Sequence, residues 1–378
     1  MIYLDNAATS WPKAPHMAQA CEHIFMHPIG NVGRSAHEGS ITASRILYDC
    51  RKTLQDIIPP THIEKIIFTK NATEALNIAL FGFLAPGDTV ITTPIEHNAV
   101  ARPLSVLASR HVKILFSPVD GYGKIDIDGF SKLLDAERPR LAVFTVAGNV
   151  SGVINPVEEL VASCASRDIP FVLDGAQAVG EIALSGFGEG ASGALCFSLH
   201  KGLLGPTGVG VMALYGNFNP RALVYGGTGS NSDATMQPEI LPDKFESGTL
   251  PIHSVAIGLH ALRYCVEHAD TISRQRNITS DLLWEGLASL KQLRMISPRE
   301  DRVGLVSVTT KETTISCIAR YLFSHQVAIR SGLHCAPWAH KHFNTLAQGG
   351  ALRFSVGYAT TTEEVLKVID LVKEAMNG

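Results

Sequence analysis

The sequence predicts an α/β protein built on a mostly parallel seven-stranded sheet with one antiparallel strand, plus a smaller α+β domain. Two observations carry that reading. Between Ile66 and Leu214, short runs rich in Val, Ile and Phe alternate with segments of helical spacing, as in parallel sheets covered on both faces. One connection, Leu199 to Gly208, is too short and too rich in Gly and Pro for a helical crossover, so the strands it joins must run antiparallel.

The predicted strands are 66–69, 89–92, 113–116, 141–146, 171–174, 194–198 and 209–214, with helices that include 74–84, 99–109 and 157–167. A Gly/Ser/Asn stretch at 226–233 and a Pro-bearing segment at 237–251 follow, and connections this long are usually functional or interfacial. Helical spacing resumes at 255–267 and 271–290. The tail then alternates strands (304–309, 352–356) with helices (315–325, 362–376). The expected division is a large domain at 14–255 and a small one made of 1–13 and 256–378.

The 378 residues are 46% hydrophobic and 18% charged with a formal net charge of -3, which gives no electrostatic footprint for nucleic acid or an anionic membrane. No apolar run approaches the ~20 residues that span a bilayer, and the first residues lack a leader's basic and apolar pattern. Cys21, Cys50, Cys164, Cys196, Cys265, Cys317 and Cys335 are odd in number, scattered and without a CxxC pair. That usage suits neither a disulfide framework nor a thiolate zinc site, so a reducing cytoplasm is expected.

Ligands of open parallel sheets bind at the carboxyl ends of the strands. Asp174 ends one predicted strand, Gln177 follows it, and Lys201 stands just past another, after Ser198 and His200. A lysine and an acid at one rim suit a pyridinium-aldehyde cofactor, the amine binding the aldehyde and the acid keeping the ring nitrogen protonated. A structural Asp beside a surface Lys fits the spacing equally well. Asn71-Ala72-Thr73-Glu74 leads a strand into a helix and reads either as a phosphate cradle or as an ordinary N-cap. His97, in the next strand-to-helix turn, is placed to stack on a flat ring or to sit as a loop histidine.

Arg330-Ser331-Gly332-Leu333-His334-Cys335-Ala336-Pro337 sets a cysteine in a polar loop beside basic residues, the setting of a nucleophilic thiol. Cys335 with His334, His340 and His342 fits no standard zinc spacing, and no metal is expected. Arg353 alternates with Leu352 and Phe354, so it faces away from their core, either solvated or as a fork for a carboxylate.

Taken in order, these motifs resemble the cysteine desulfurases of the class V aminotransferase family, within the fold-type I enzymes of pyridoxal 5'-phosphate. The resemblance spans almost the whole chain. It begins at Tyr3-Leu4-Asp5-Asn6-Ala7-Ala8-Thr9 and includes Asn71-Ala72-Thr73-Glu74, Glu96-His97-Asn98 and Asp174-Gly175-Ala176-Gln177. It continues through Ser198-Leu199-His200-Lys201, Glu246-Ser247-Gly248-Thr249 and the Arg330 to Pro337 loop. Asn98 stands where many members carry a second histidine.

The resemblance implies that Lys201 carries the cofactor and moves protons, Asp174 pairs with its ring nitrogen, His97 stacks on the ring and Gln177 bonds the ring hydroxyl. Ala72, Thr73, Ser198 and His200 hold the phosphate, and Thr249 reaches the phosphate of a second subunit in a homodimer. Asn149 and Arg353 hold the carboxylate of L-cysteine. Cys335 accepts the sulfur on a mobile loop from Gly332 to Trp338, which passes it to an acceptor protein. L-selenocysteine is the alternative substrate, for a selenocysteine or cystine lyase on the same scaffold. A non-catalytic sulfur-relay or scaffold protein is the reading from another class.

Overall fold

The computed structural model describes residues 1–32, 37–188, 190–230, 233–310 and 315–377. Asn231 and Ser232, within the Gly/Ser/Asn stretch, lie outside the described residues. The chain opens with strand β1 (Ile2–Tyr3) and helices α1 (Met17–Met26) and α2 (Glu38–Gln55). The large sheet follows as β2 (Ile66–Thr69), β3 (Thr89–Thr92), β4 (Lys113–Phe116), β5 (Leu141–Thr145), β6 (Phe171–Asp174), β7 (Gly193–Ser198) and β8 (Gly210–Tyr215). Between them run α3 (Ala72–Phe83), α4 (Asn98–Ala108), α5 (Ile127–Glu137) and α6 (Val157–Ala165).

Every predicted strand of this sheet is present, with ends that move by a residue at most. The near-continuous apolar runs arise because both faces are covered. Ala142, Phe144, Phe171 and Leu195 pack toward α2, α5 and α6, while Val143, Val172, Ala194 and Met212 pack toward α3 and α4. Strand order is β2-β8-β7-β6-β5-β3-β4, and β8 is antiparallel to both β2 and β7.

That reversal matters for the site. Because β8 opposes both neighbours, β2 and β7 point the same way, so the carboxyl ends of β2, β3, β5, β6 and β7 share one rim. The amino end of β8 reaches that rim too. Gly210 lies against the Asn71 backbone, where any Cβ would collide with the Asn71 carbonyl carbon, so glycine lets the α3 turn close onto the sheet.

The tail comprises α7 (Ile252–Glu267), α8 (Ala269–Ala288), β9 (Leu293–Met295), β10 (Leu305–Thr310), α9 (Ile315–Ser324), β11 (Val327–Ala328), β12 (Arg330–Gly332), α10 (Pro337–His342), β13 (Ala351–Ser355) and α11 (Thr362–Asn377). A four-stranded antiparallel sheet runs β12-β13-β10-β9, and β1 pairs with β11 in parallel. Leu283, Ile318 and Val368, from α8, α9 and α11, cover one face of the four-stranded sheet against Leu352 and Phe354. The short strands β9, β11 and β12, two or three residues each, carry too few residues to show an alternation in the sequence. No helix among the described residues is long and apolar enough to cross a membrane.

A buried ion pair fastens the segment after β8 to the sheet edge. Arg51 of α2 donates to both carboxylate oxygens of Glu246 at 2.7 Å and to the Ile66 carbonyl at 2.9 Å. Glu246 also accepts the Phe68 N–H at 2.7 Å. Removing one member leaves an uncompensated charge in a dry site. Glu246→Ala is expected to cost about 3 kcal/mol or more of stability, read from the midpoint of urea unfolding at unchanged slope.

Candidate active site

The shared rim holds a cleft of about 510 Å³ lined by Asn71, Ala72, Thr73, His97, Asn149, Asp174, Gln177, Ser198, His200 and Lys201, among others. Nine residues expected at the site, with the N-cap candidate Asn71, therefore meet in one place. Each is delivered by a strand end. Asn71, Ala72 and Thr73 follow β2, His97 follows β3, and Asn149 follows β5. Asp174 ends β6, Gln177 lies three residues on, and Ser198 ends β7 just before His200 and Lys201.

At the α3 end, Asn71 is the N-cap, its Oδ1 accepting the Glu74 N–H at 2.9 Å. The Glu74 carboxylate in turn accepts the Lys70 N–H at 2.6 Å, and this reciprocal pair sets the helix start. The N-cap and phosphate-cradle readings are thus compatible, because the first-turn amides of Ala72 and Thr73 lie at the cleft. A helix start of this kind favours an anion.

Asp174 is buried, and Lys201 is half-buried where it lines the cleft. Burial pulls the Lys201 amine down to about 8, against the opposing pull of the Asp174 charge, and Arg353 and Arg330 push it the same way as burial. Burial raises the Asp174 carboxyl, while the Ala176 N–H, 2.9 Å from its Oδ1, and the Lys201 charge hold it down. At pH 7 an amine with this pKa is about one-tenth neutral, far more than an ordinary lysine, and the neutral form is the nucleophile. A cation set beside Asp174 would favour its charged form.

His97 caps α4 by accepting the Ala99 N–H on Nδ1 at 3.0 Å, which leaves the ring proton on Nε2. Burial and the nearby Lys201 hold it down to about 4, so the ring is neutral. His200 is likewise held down to about 4, first by burial and then by Lys201 and Lys13. Gln177 Nε2 donates to the Ala7 carbonyl at 2.9 Å, which brings the first residues of the chain against the cleft. Thr249 is exposed and is not among the lining residues.

Arg353 is neither solvated nor half-buried. It faces away from Leu352 and Phe354 as expected, but into the protein, with 2% of its surface exposed. It donates from Nη1 to the Asn149 carbonyl at 3.0 Å and from Nη2 to Asp5 Oδ1 at 3.2 Å. Burial draws it down to about 10 against the opposing Asp5, with Arg330 adding to the fall. Arg330 is its direct cross-strand partner, an unfavourable like-charge pairing that an anion relieves. Two buried atoms here lack a partner among the described residues, the donor Arg353 Nε and the acceptor Asn149 Oδ1.

Cys335 is exposed, with its Sγ 3.8 Å from Arg330 Nη2. Where the sequence suggests a mobile Gly332 to Trp338 loop, β12 ends at Gly332 and α10 begins at Pro337, so only four residues between them are irregular. The sequence places Arg330 beside the thiol, and it assigns no role to three further groups nearby. Asp5 pairs with Arg353. Glu96, raised to about 8 chiefly by burial, accepts from Thr93 Oγ1 at 2.6 Å and from the Thr145 N–H at 3.0 Å. Lys13 donates to Thr9 Oγ1, Ser10 Oγ and the His200 carbonyl at 3.1, 3.1 and 2.9 Å. Only Asp5, Glu96 and Arg330 stood inside quoted motifs, and the Arg353 partner of Asp5 and the Thr145 partner of Glu96 lie far off in sequence. Among the described residues, no group of three or more His, Cys, Asp or Glu side chains is arranged to hold a metal ion.

A family model described as Aminotransferase class-V matches residues 2–368. A probable cysteine desulfurase of Pyrococcus abyssi is 31% identical, across 100% of this chain and 95% of that protein. A cysteine desulfurase of Haloferax volcanii is 30% identical across 99% of this chain and 89% of its own. Among solved structures, an apo cysteine desulfurase of Thermococcus onnurineus superposes with a TM-score of 0.90 at 29% identity, covering 100% of this chain and 95% of that one.

With Lys201 down at about 8, its neutral fraction rises about tenfold per pH unit below that point. Acylation of Lys201 by a neutral amine reagent, read by peptide mass spectrometry, is expected to level off near pH 8. Asp174→Asn removes the charge that props the amine up, so the midpoint should move lower. An unmoved midpoint would mean that the two groups do not interact.

Proposed function

The chain belongs to the aminotransferase class-V family, and from that premise we propose that it is a pyridoxal-phosphate cysteine desulfurase of fold type I. It converts L-cysteine to L-alanine and keeps the sulfur as a persulfide on Cys335. The observation that carries this reading is an exposed thiol beside Arg330 and Arg353, next to a cleft that brings a lysine and an aspartate into electrostatic contact.

The residues present fit the cofactor. The α3 amides with Thr73, Ser198 and His200 form the anion end, and neutral His97 offers a flat face. Asp174 lies ready for a protonated ring nitrogen, Gln177 for the ring hydroxyl, and Lys201 for the aldehyde. The unpartnered Arg353 Nε and Asn149 Oδ1 suit a ligand with both an anionic group and N–H donors, as an α-amino acid has. Bound pyridoxal phosphate supplies an electron-poor ring that accepts the electron pair released at the substrate's Cα.

The chain's own groups do the rest. Arg353, with Arg330 and Asn149, orients the substrate carboxylate, and Lys201 Nζ takes the proton from Cα. The Cys335 thiolate attacks the substrate sulfur. A sulfur–sulfur bond forms as the Cβ–S bond breaks, the carbon takes up a proton, and alanine leaves. The persulfide then passes to a thiol acceptor. Thr249 is exposed, and Val224, Tyr225, Met236 and Ile240 nearby in sequence are exposed apolar side chains, which supports a homodimer with Thr249 facing the second copy's phosphate site. Seven cysteines that form no disulfide among the described residues suit the cytoplasm, and 14–255 with 1–13 plus 256–378 is the proposed division into domains.

Lys201→Ala is expected to lose both the visible colour of bound pyridoxal phosphate and all turnover. Cys335→Ala should keep the colour and lose sulfide release from L-cysteine in a thiol-dependent assay run beside L-selenocysteine. Sulfide release retained by Cys335→Ala would identify a lyase that expels its chalcogen without a protein thiol. A protein that stays colourless with added cofactor would be a scaffold.

A further inference from the structure

We propose that Asn149 is a positioning residue for Cys335: its side-chain amide clamps the carbonyl just before the cysteine and ties the thiol to the carboxylate end of the cleft. The inference rests on the desulfurase reading for what the thiol does, and on geometry alone for how the thiol is held.

Asn149 sits in a tight turn after β5, between the bridged residues Ala147 and Ile154, with Gly152 N–H donating to the Gly148 carbonyl at 2.8 Å. Val150 and Ser151 are buried beside it, so its backbone has no freedom to wander. From that turn Nδ2 donates to the His334 carbonyl at 2.7 Å, a buried bond between residues 185 apart in sequence. The facing atom is a carbonyl oxygen, which only a donor can satisfy. The amide orientation is therefore decided, with Oδ1 left as the buried acceptor. Nδ2 carries a second hydrogen, and the Asn149 backbone carbonyl takes Arg353 Nη1 at 3.0 Å. One residue thus touches both the carboxylate fork and the cysteine turn.

The turn needs such a clamp. His334 and Cys335 have φ of 48° and 55°, two consecutive left-handed residues, neither of them glycine. That conformation is uncommon and persists only where its surroundings impose it. Three bonds do so. They are Asn149 Nδ2 to the His334 carbonyl, the Asn98 N–H to the Cys335 carbonyl at 2.7 Å, and the Ala336 N–H to the Leu333 carbonyl at 2.8 Å. Asn98 begins α4, so its N–H has no partner inside the helix and is spent on the turn without loss. Of the three donors, only Asn149 comes from a side chain, so it is the one that a substitution removes.

The test uses the full chain without amino-acid substrate, comparing wild type with Asn149→Asp, which keeps size and loses the donor, and with Asn149→Ala. Hydrogen exchange of the amides from 333 to 338 should quicken roughly fivefold or more in both variants, with the rest of the chain unchanged. Persulfide formation on Cys335 at saturating cysteine should slow in the same variants. Unchanged exchange in that segment with only a raised KM would overturn the proposal, leaving Asn149 to the substrate alone. A rise spread over the whole chain would overturn it as well, as would an Asp variant that behaves like wild type. Wild-type protein that forms no persulfide refutes the desulfurase reading instead, and the exchange result still decides the clamp.

Discussion

The molecule depends on bringing a lysine and an aspartate together, largely desolvated, at the ends of adjacent strands. Asp174 closes β6 and Lys201 follows β7, its hydrogen-bonded neighbour. Neither group is comfortable there alone. Burial drives each toward its neutral form, and each restrains the other's shift. The result is an amine close to its titration point beside an acid that a cationic ring would hold charged. No mobile element creates this state, since it follows from where two strands stop.

Around that pair the large sheet acts as a jig. The single antiparallel strand, β8, brings β2 into the same direction as β7, and so sets the α3 amides opposite Ser198 and His200. The first residues of the chain are drawn in as well. Ala7 accepts from Gln177, and Thr9 and Ser10 accept from Lys13 while Lys13 holds the His200 carbonyl. An N-terminal segment that looks like a simple strap is thereby part of the wall behind Lys201.

The four-stranded sheet contributes a different kind of chemistry. Its strands β12 and β13 place Arg330 opposite Arg353, a concentration of charge that weakens the sheet by itself. Asp5 offsets part of it, and the remainder favours an anion. The same strand pair sets Cys335 just beyond Arg330, in a turn whose two left-handed residues are held from the large sheet's side by Asn98 and Asn149. The thiol is thus exposed yet anchored. A short, pinned segment, rather than a long free loop, carries it.

The sheet itself was readable residue by residue, because a strand buried on both faces leaves an unbroken apolar run and a helical crossover leaves a 3.6-residue period. Strand ends then located Asp174, Ser198 and Lys201 at one rim, since direction along a strand is a local property. What Arg353 does was not readable. Period-2 alternation says which way a side chain points, but not whether solvent or another sheet lies there, and here it met Asp5, 348 residues away in sequence. The same holds for Asn149 and His334, whose bond joins the turn after β5 to the turn after β12 across 185 residues of sequence. The sequence alone determined which residues reach the rim. Packing between distant segments decided which of them touch, because that depends on distances no local pattern encodes.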